Sequence, residues 1–261
     1  MVIDKDAIFL SRRIKELADR ALKRDVFTHT SFLNLNEQAV FFSIKDLPKV
    51  NYKLIGGYEA AERKVVCFFP VVFEFENDFE QLSDINQKIF DYIYIKPVNE
   101  KFSDRLTHRD YLGALMNLGI DRCMTGDIVM SCGSAYVVVL KRISRIIADN
   151  LETVKKTKVA VSIENCFDTA ISDTGYIKRI NVISIRIDAL ISAVFNLSRG
   201  NAVRYVDAEK VFVNSRCIIS HSYALKSEDI VSIRGLGRFK YIGEESVTKK
   251  GRLMVSVKCY V

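Results

Sequence analysis

The sequence predicts an α+β chain in three parts. Residues 1–80 form an N-terminal α/β region, residues 81–165 a central β-α-β-β-α-β domain, and residues 182–261 a basic unit of two short helices, short strands and a hairpin extension. Three observations carry that prediction. Hydrophobic residues are 49% of 261, enough to fill two or three small cores. Strand-like and helix-like periods alternate in a regular order from residue 91 to residue 163. The net charge of +7 is unevenly spread: 12 basic against 13 acidic residues in 1–80, 12 against 10 in 81–165, and 15 against 9 in 166–261. The positive excess therefore falls on the C-terminal unit, as expected of a surface that meets polyanions.

Residues 4–24 read as an amphipathic helix. Ile8, Ile14, Leu17, Ala18, Ala21 and Leu22 recur near helical spacing, and Arg12, Arg13, Lys15, Arg20 and Lys23 lie between them as a solvated face. Phe27-Thr28-His29-Thr30-Ser31-Phe32-Leu33 leads to a short helix near residues 37–42, and Pro48 marks the next loop. Two strand-like runs, residues 52–55 and 64–69, flank Gly56-Gly57, which permit a tight turn or a close backbone approach. Glu59 and Glu62 have no histidine or metal ligand beside them, so they read as an exposed charge cluster. Gly56-Gly57 lacks the Lys-Ser/Thr of a phosphate loop.

The central domain begins with a strand over residues 92–98. Thr107-His108-Arg109-Asp110 opens a helix with a capping-box pattern, and Gly119 ends it. Strands at 127–131 and 135–140 flank the Gly133-Ser134 turn. A helix follows from Lys141 to about Val154 with Ile143, Ile146, Ile147 and Leu151 on one face, and residues 158–163 close the set. This order is the split βαβ arrangement of ferredoxin-like and RRM domains. Tyr92, Tyr94 and Tyr136 are candidates for base stacking or for ordinary sheet packing. Arg105, His108 and Arg109 stand at a helix start, where the dipole favours anions, so Arg105 and Arg109 are candidate phosphate contacts.

In the C-terminal unit, Ile187, Leu190, Ile191 and Val194 form the apolar side of a first helix, with Arg186, Asp188 and Ser192 on its polar side. Ser198 is placed to cap a second helix over residues 199–207, which packs Ala202, Val203 and Val206. Strands at 211–214 and 230–233 follow, then a hairpin at 239–242 and 253–261 joined by the basic turn Lys249-Lys250-Gly251-Arg252. Arg186, Ser198, Arg199, Asn201, Lys210, Asn214, Arg234 and Arg238 recur along this unit and are the candidate contacts to a phosphate backbone, with Arg204 and Arg216 beside them.

The six cysteines, Cys67, Cys123, Cys132, Cys166, Cys217 and Cys259, are scattered without a C-x-x-C pair, and His29, His108 and His221 are not at metal-ligand spacing from them. They read as thiols of a reducing, cytoplasmic compartment. The charged N-terminus shows no signal peptide. The apolar run 65–73 is interrupted by Pro70 and too short for a membrane segment. No catalytic residue, metal or cofactor is expected.

Several short pieces in order resemble the S4 RNA-binding domain: Arg186-Ile187-Asp188, Leu197-Ser198-Arg199, the strand from Lys210 to Asn214, and Asp229-Ile230-Val231-Ser232-Ile233-Arg234. The chain departs from that domain at Glu209 and Glu228, where the family has glycine at turns that favour positive φ. Across nearly its whole length the chain resembles the YlmH family of bacterial S4-domain proteins. The most specific matches are the run from Gly56 to Lys64, the run from Leu106 to Leu115, Gly126-Asp127-Ile128, Phe195-Asn196-Leu197-Ser198-Arg199 and Arg234-Gly235-Leu236-Gly237-Arg238.

The resemblance implies a central RRM-like domain, a C-terminal S4 domain, and a cytosolic RNA-binding protein of the large ribosomal subunit. Its implied role is rescue or quality control of stalled subunits carrying peptidyl-tRNA. The implied partners are rRNA, peptidyl-tRNA and, for some members, cell-division proteins, so a division scaffold is a third reading. The main rival is an RNA-modifying enzyme. Arg186-Ile187-Asp188 superficially matches the catalytic stretch of pseudouridine synthases, but no catalytic domain's worth of sequence follows it. Neither adenylate-binding signature of a tyrosyl-tRNA synthetase is present.

Overall fold

The structure is a computed structural model that describes residues 5–70, 79–99, 103–131, 133–165, 175–248 and 251–260. It is a mixed α/β chain in two compact units, Met1–Ser172 and Asp173–Val261.

Unit 1 opens with helix α1, Lys5–Arg24. Its buried stripe is Ile14, Leu17, Ala18 and Ala21, at the helical spacing read from the sequence. Strand β1, Thr28–His29, and helix α2, Leu35–Ser43, follow. Asn34 caps α2: its side-chain oxygen accepts from the amides of Asn36 and Glu37, and the Glu37 carboxylate accepts the Asn34 amide at 2.6 Å. Strands β2, Tyr52–Ile55, and β3, Val65–Phe68, complete a small antiparallel sheet of order β1-β3-β2. All four residues of β3 are buried because the strand is covered on both faces. Val66 and Phe68 pack with Leu17 and Phe41 from α1 and α2, while Val65 and Cys67 pack with Phe32, Phe90, Tyr92 and Val138. A strand covered on both faces reads as an uninterrupted apolar run.

Helix α3, Phe79–Ile89, leads into β4, Phe90–Pro97. Then come α4, His108–Asn117; β5, Thr125–Ser131; β6, Ser134–Leu140; α5, Lys141–Asn150; β7, Thr153–Val154; and β8, Thr157–Glu164. The sheet order is β5-β6-β4-β8-β7, with every pairing antiparallel. Alternation along β4 sends Ile93 and Ile95 to a core with Tyr111, Leu115, Ile143 and Ile147, and Phe90 and Tyr92 to the opposite face. The last helix stops short of its expected end near Val154. Thr153 and Val154 instead pair with Lys158 and Thr157 around a turn in which Lys155 has φ 53°, and Val154 is buried. β-branched side chains favour the strand, and the left-handed Lys155 ends any helix.

The opposite face of the sheet is occupied by residues 56–63. Gly57, at φ +90°, lies so close that a Cβ would stand 2.6 Å from the Val138 side chain, and its carbonyl accepts from the Tyr92 hydroxyl at 2.7 Å. The close backbone approach expected of Gly56-Gly57 is therefore made against the central sheet. Asp127 on β5 fastens the same segment: its carboxylate accepts from the Tyr58 hydroxyl (2.8 Å) and from the amides of Glu62 (2.6 Å) and Arg63 (3.1 Å). The boundary expected near residue 80 thus lies inside unit 1, in a core fed from both sides of it.

Unit 2 begins with β9, Gly175–Val182, a strand not foreseen in the sequence. Helices α6, Ile187–Phe195, and α7, Arg199–Asp207, follow, then β10, Val211–Val213; β11, Arg216–Cys217; β12, Ile230–Ile233; β13, Gly237–Val247; and β14, Leu253–Tyr260. The antiparallel sheet runs β11-β10-β12-β13-β14-β9. Ile187, Leu190, Ile191, Val194, Ala202 and Val206 of the helices close over Val211, Val231, Ile233, Phe239, Val255 and Val257 of the sheet. The terminal hairpin is longer than expected on its first strand, and the basic residues Lys249 and Lys250 of its turn lie outside the described residues.

Candidate nucleic-acid interface

Arg186, Arg199, Lys210, Arg234 and Arg238 fall into two groups, each built on a buried or aromatic support. At the first, Arg186 precedes α6 and Arg199 opens α7. Between them lies Asp188, whose side chain is only 2% exposed. Its Oδ1 accepts from Arg186 Nε and its Oδ2 from Arg186 Nη2, both at 3.1 Å, and Oδ2 also accepts Arg199 Nε at 3.1 Å. The Asp188 Oδ1 takes a further bond from the Ala189 amide.

Burial by itself would raise the Asp188 pKa. The bonds from the two guanidiniums, and then their charge, outweigh it and hold the group below the usual carboxylate range. The result is two half-exposed guanidiniums, 39% and 56%, held side by side at the starts of two helices. Each keeps N–H donors facing solvent, an arrangement suited to bidentate phosphate contact. Asp188 was read in the sequence as a polar-side position and as part of the Arg186-Ile187-Asp188 piece, not as a buried group. Its place next to Ile187, within the apolar stripe of α6, was the available signal that it is buried.

The second group lies beyond the other end of α7. Nine residues at about 1.5 Å each separate the two groups by roughly 14 Å. Here the Arg234 amide donates to the Lys210 carbonyl at 3.0 Å, which joins the two cationic residues at one end of β10 and β12. Aromatic rings lie under the cations: Lys210 over Tyr205 at 5.9 Å and Arg234 over Phe212 at 5.6 Å. Arg238 on β13 lies 4.7 Å from the Tyr260 ring centroid, and Lys258 lies 5.9 Å from the same centroid. Tyr260 and Lys258, from the final strand, were not singled out in the sequence.

The remaining candidates divide by what already occupies their polar atoms. The Ser198 hydroxyl caps α7 by accepting the Asn201 amide at 3.2 Å, while the Asn201 residue is exposed. Asn214, expected at the end of its strand, instead stands in the turn after it with φ 48°. Its Oδ1 accepts the Ile230 amide and its Nδ2 donates to Asp229, so its amide first serves the loop. In unit 1, Arg105 and Arg109 are both exposed beside α4. The Asp110 carboxylate already accepts the Thr107 amide and hydroxyl and pairs with Lys155 at 2.8 Å. These bonds pull its pKa down to about 2, the Lys155 bond first. The anion at that helix start is therefore one of the protein's own side chains.

Glu209 and Glu228 stand at φ 54° and 74°, in the left-handed turns that the departure from glycine marked. The Glu228 carboxylate is paired with Lys240. A side chain at such φ costs about 1–2 kcal/mol, and Glu209 carries no compensating ion pair among the described residues. Glu209→Gly is therefore expected to raise stability by about 1 kcal/mol, read as a higher urea midpoint at unchanged slope. A lower midpoint would show that the Glu209 side chain holds the turn.

Among the described residues, no three His, Cys, Asp or Glu side chains converge on a metal site, and no helix is long and apolar enough to cross a membrane. Cys132 and Cys166 lie outside the described residues. Cys67 is fully buried, and burial drives its thiol pKa far up.

Oriented guanidiniums on a basic α/β unit are the equipment of RNA-binding proteins, and residues 83–168 match a family model described as a putative RNA-binding domain in YlmH. The chain is 29% identical over 232 residues to ribosome-associated protein quality control protein P2 of Bacillus subtilis (strain 168), covering 87% of this chain and 85% of that one. Both likenesses are to the YlmH family. A solved structure, the cell division protein ylmH from Streptococcus pneumoniae, is 18% identical and aligns with 63% of this chain and 94% of that chain at a TM-score of 0.46.

Proposed function

We propose that this chain is a non-catalytic RNA-binding protein of the large ribosomal subunit, acting in quality control of stalled subunits that carry peptidyl-tRNA. Residues 81–165 serve as an RRM-like domain and residues 182–261 as an S4 domain. The observation that carries the reading is the Asp188 clamp, a buried carboxylate that holds Arg186 and Arg199 ready for phosphate oxygens. Lys210, Arg234 and Arg238 supply a second set of phosphate contacts about one helix length away, with Asn201 and the exposed Arg105 and Arg109 as further contacts. Such contacts fix position on RNA while its shape supplies selectivity. The quality-control role of the Bacillus subtilis relative supports the same assignment.

Asp188 is committed to two guanidiniums and a backbone amide, an orienting role and not that of a catalytic acid. The test is co-sedimentation of the purified protein with large subunits, with and without peptidyl-tRNA, across a salt series. Saturable binding that weakens with salt and strengthens with peptidyl-tRNA is expected. Arg199→Ala should weaken it and reduce the salt slope by about one unit. Binding and slope unchanged by that substitution would remove the clamp from the interface.

A further inference from the structure

Unit 1 contains a groove that none of the RNA contacts proposed above uses. Its volume is about 1000 Å³. One wall is α1, which presents Phe9, Arg13, Leu17 and Arg20 at the spacing of a single helical face. The floor includes Phe27 and His29, and the far wall is formed by Lys88 at the end of α3 and by Lys141 and Arg142 at the start of α5.

Its chemistry combines two features. Cations stand on both walls, and Arg20, Lys88, Lys141 and Arg142 are all exposed. Of the two carboxylates that line it, Asp6 and Glu37, the second is committed to the cap of α2. Exposed aromatic surface lies between the cations: Phe9 is 75% exposed and Phe27 37%. Phe27 is braced from behind by Phe69, ring centroids 5.5 Å apart, and His29 lies 6.0 Å away. The His29 Nδ1 is 2.8 Å from the Thr30 carbonyl oxygen, an atom that only accepts. Nδ1 therefore donates to that oxygen, and the neutral form of the ring would leave Nε2 as an acceptor for an amino or hydroxyl group.

We propose that this groove binds an unpaired RNA segment, with bases against Phe27 and Phe9 and phosphates toward Arg20, Lys88, Lys141 and Arg142. Aromatic platforms flanked by cations are how single strands are held without sequence readout. A volume of this size accepts roughly two stacked nucleotides, and a duplex, whose bases are already stacked, gains nothing from the rings. The inference extends the RNA-binding reading to a second site in the other unit.

The chain contains no tryptophan, so Phe27→Trp introduces a single indole as a reporter. The full-length variant is titrated with single-stranded oligo(A) RNA and with a duplex of equal length. Saturable quenching by the single strand, weaker by about tenfold with the duplex, is expected. Arg20→Glu combined with Lys141→Glu should weaken it by about tenfold, whereas Arg199→Ala should leave it unchanged. Absence of quenching, quenching indifferent to the two reversals, or quenching abolished by Arg199→Ala would each overturn the proposal.

Photocrosslinking of the unsubstituted protein to iodouridine-labelled single strands tests it without altering Phe27. Crosslinks on peptides carrying Phe9 or Phe27 support the groove, and crosslinks confined to unit 2 refute it. Failure of the groove leaves salt-dependent binding to large subunits intact, whereas failure of the RNA-binding reading removes both signals.

Discussion

Asp188→Ala is expected to cost unit 2 about 3 kcal/mol and to lower affinity for large subunits by about tenfold. The substitution strips two guanidiniums of one shared, buried partner and leaves like charges side by side. Asp188→Asn is the informative companion, since it retains shape and one acceptor while removing the charge.

A pH series separates the two effects. The folded carboxylate titrates below its unfolded range, so its stabilisation is complete above about pH 4 and disappears as pH falls through the folded value. Thermal melts taken from neutral to about pH 3 should show an acid loss in the parent protein that is reduced in Asp188→Asn. Unchanged RNA affinity in a folded Asp188→Ala protein would mean that neither arginine depends on the clamp.

Asp127→Ala should have an effect of similar size in unit 1. It leaves the Tyr58 hydroxyl and the amides of Glu62 and Arg63 without their acceptor. It also removes the negative charge facing two partly buried cations. Burial, then the Arg63 charge, already pushes the Arg122 guanidinium down to about 10, and Asp127 opposes that shift. A loss of about 3 kcal/mol is expected, with the unfolding transition of unit 1 moving while that of unit 2 stays. A loss below about 1 kcal/mol would show that water replaces the carboxylate.

Local structure was legible in the sequence where local chemistry decides it. The Thr107–Asp110 pair and the Ser198 cap could be read because a capping side chain and its backbone partner lie within three residues. Helix α7 matched residue for residue, and strand β12 did too, since each has a clear period and a turn at both ends. Glu209 and Glu228 were marked as positive-φ positions by the resemblance to the S4 domain, which has glycine there, and not by their own residue type.

What stayed hidden depends on contacts distant in sequence. Among the described residues, strand β9 pairs with β14 alone, whose residues lie about eighty positions later, and its own pattern is largely exposed. The role of Asp188 required Arg199 to arrive from the next helix. The rings beneath Lys210, Arg234 and Arg238 come from α7, β10 and the final strand, a conjunction no short window contains. For Tyr92, the choice between stacking and packing turned on Gly57, thirty-five positions earlier, to which its hydroxyl is bonded. Tyr94 and Tyr136 instead stack on each other at 4.4 Å.

The docking of residues 56–63 on the central sheet bears on how this protein can be cut. The family match begins at residue 83, after the segment that covers Tyr92 and Val138. A fragment excised at that point would uncover Phe90, Tyr92, Val138 and Leu140 together, all 4% exposed or less in the intact chain. An apolar patch of that kind drives self-association. The smallest piece able to stay dissolved without this patch exposed should therefore start upstream of Phe32, with the start of the family match and the start of the soluble piece about fifty residues apart.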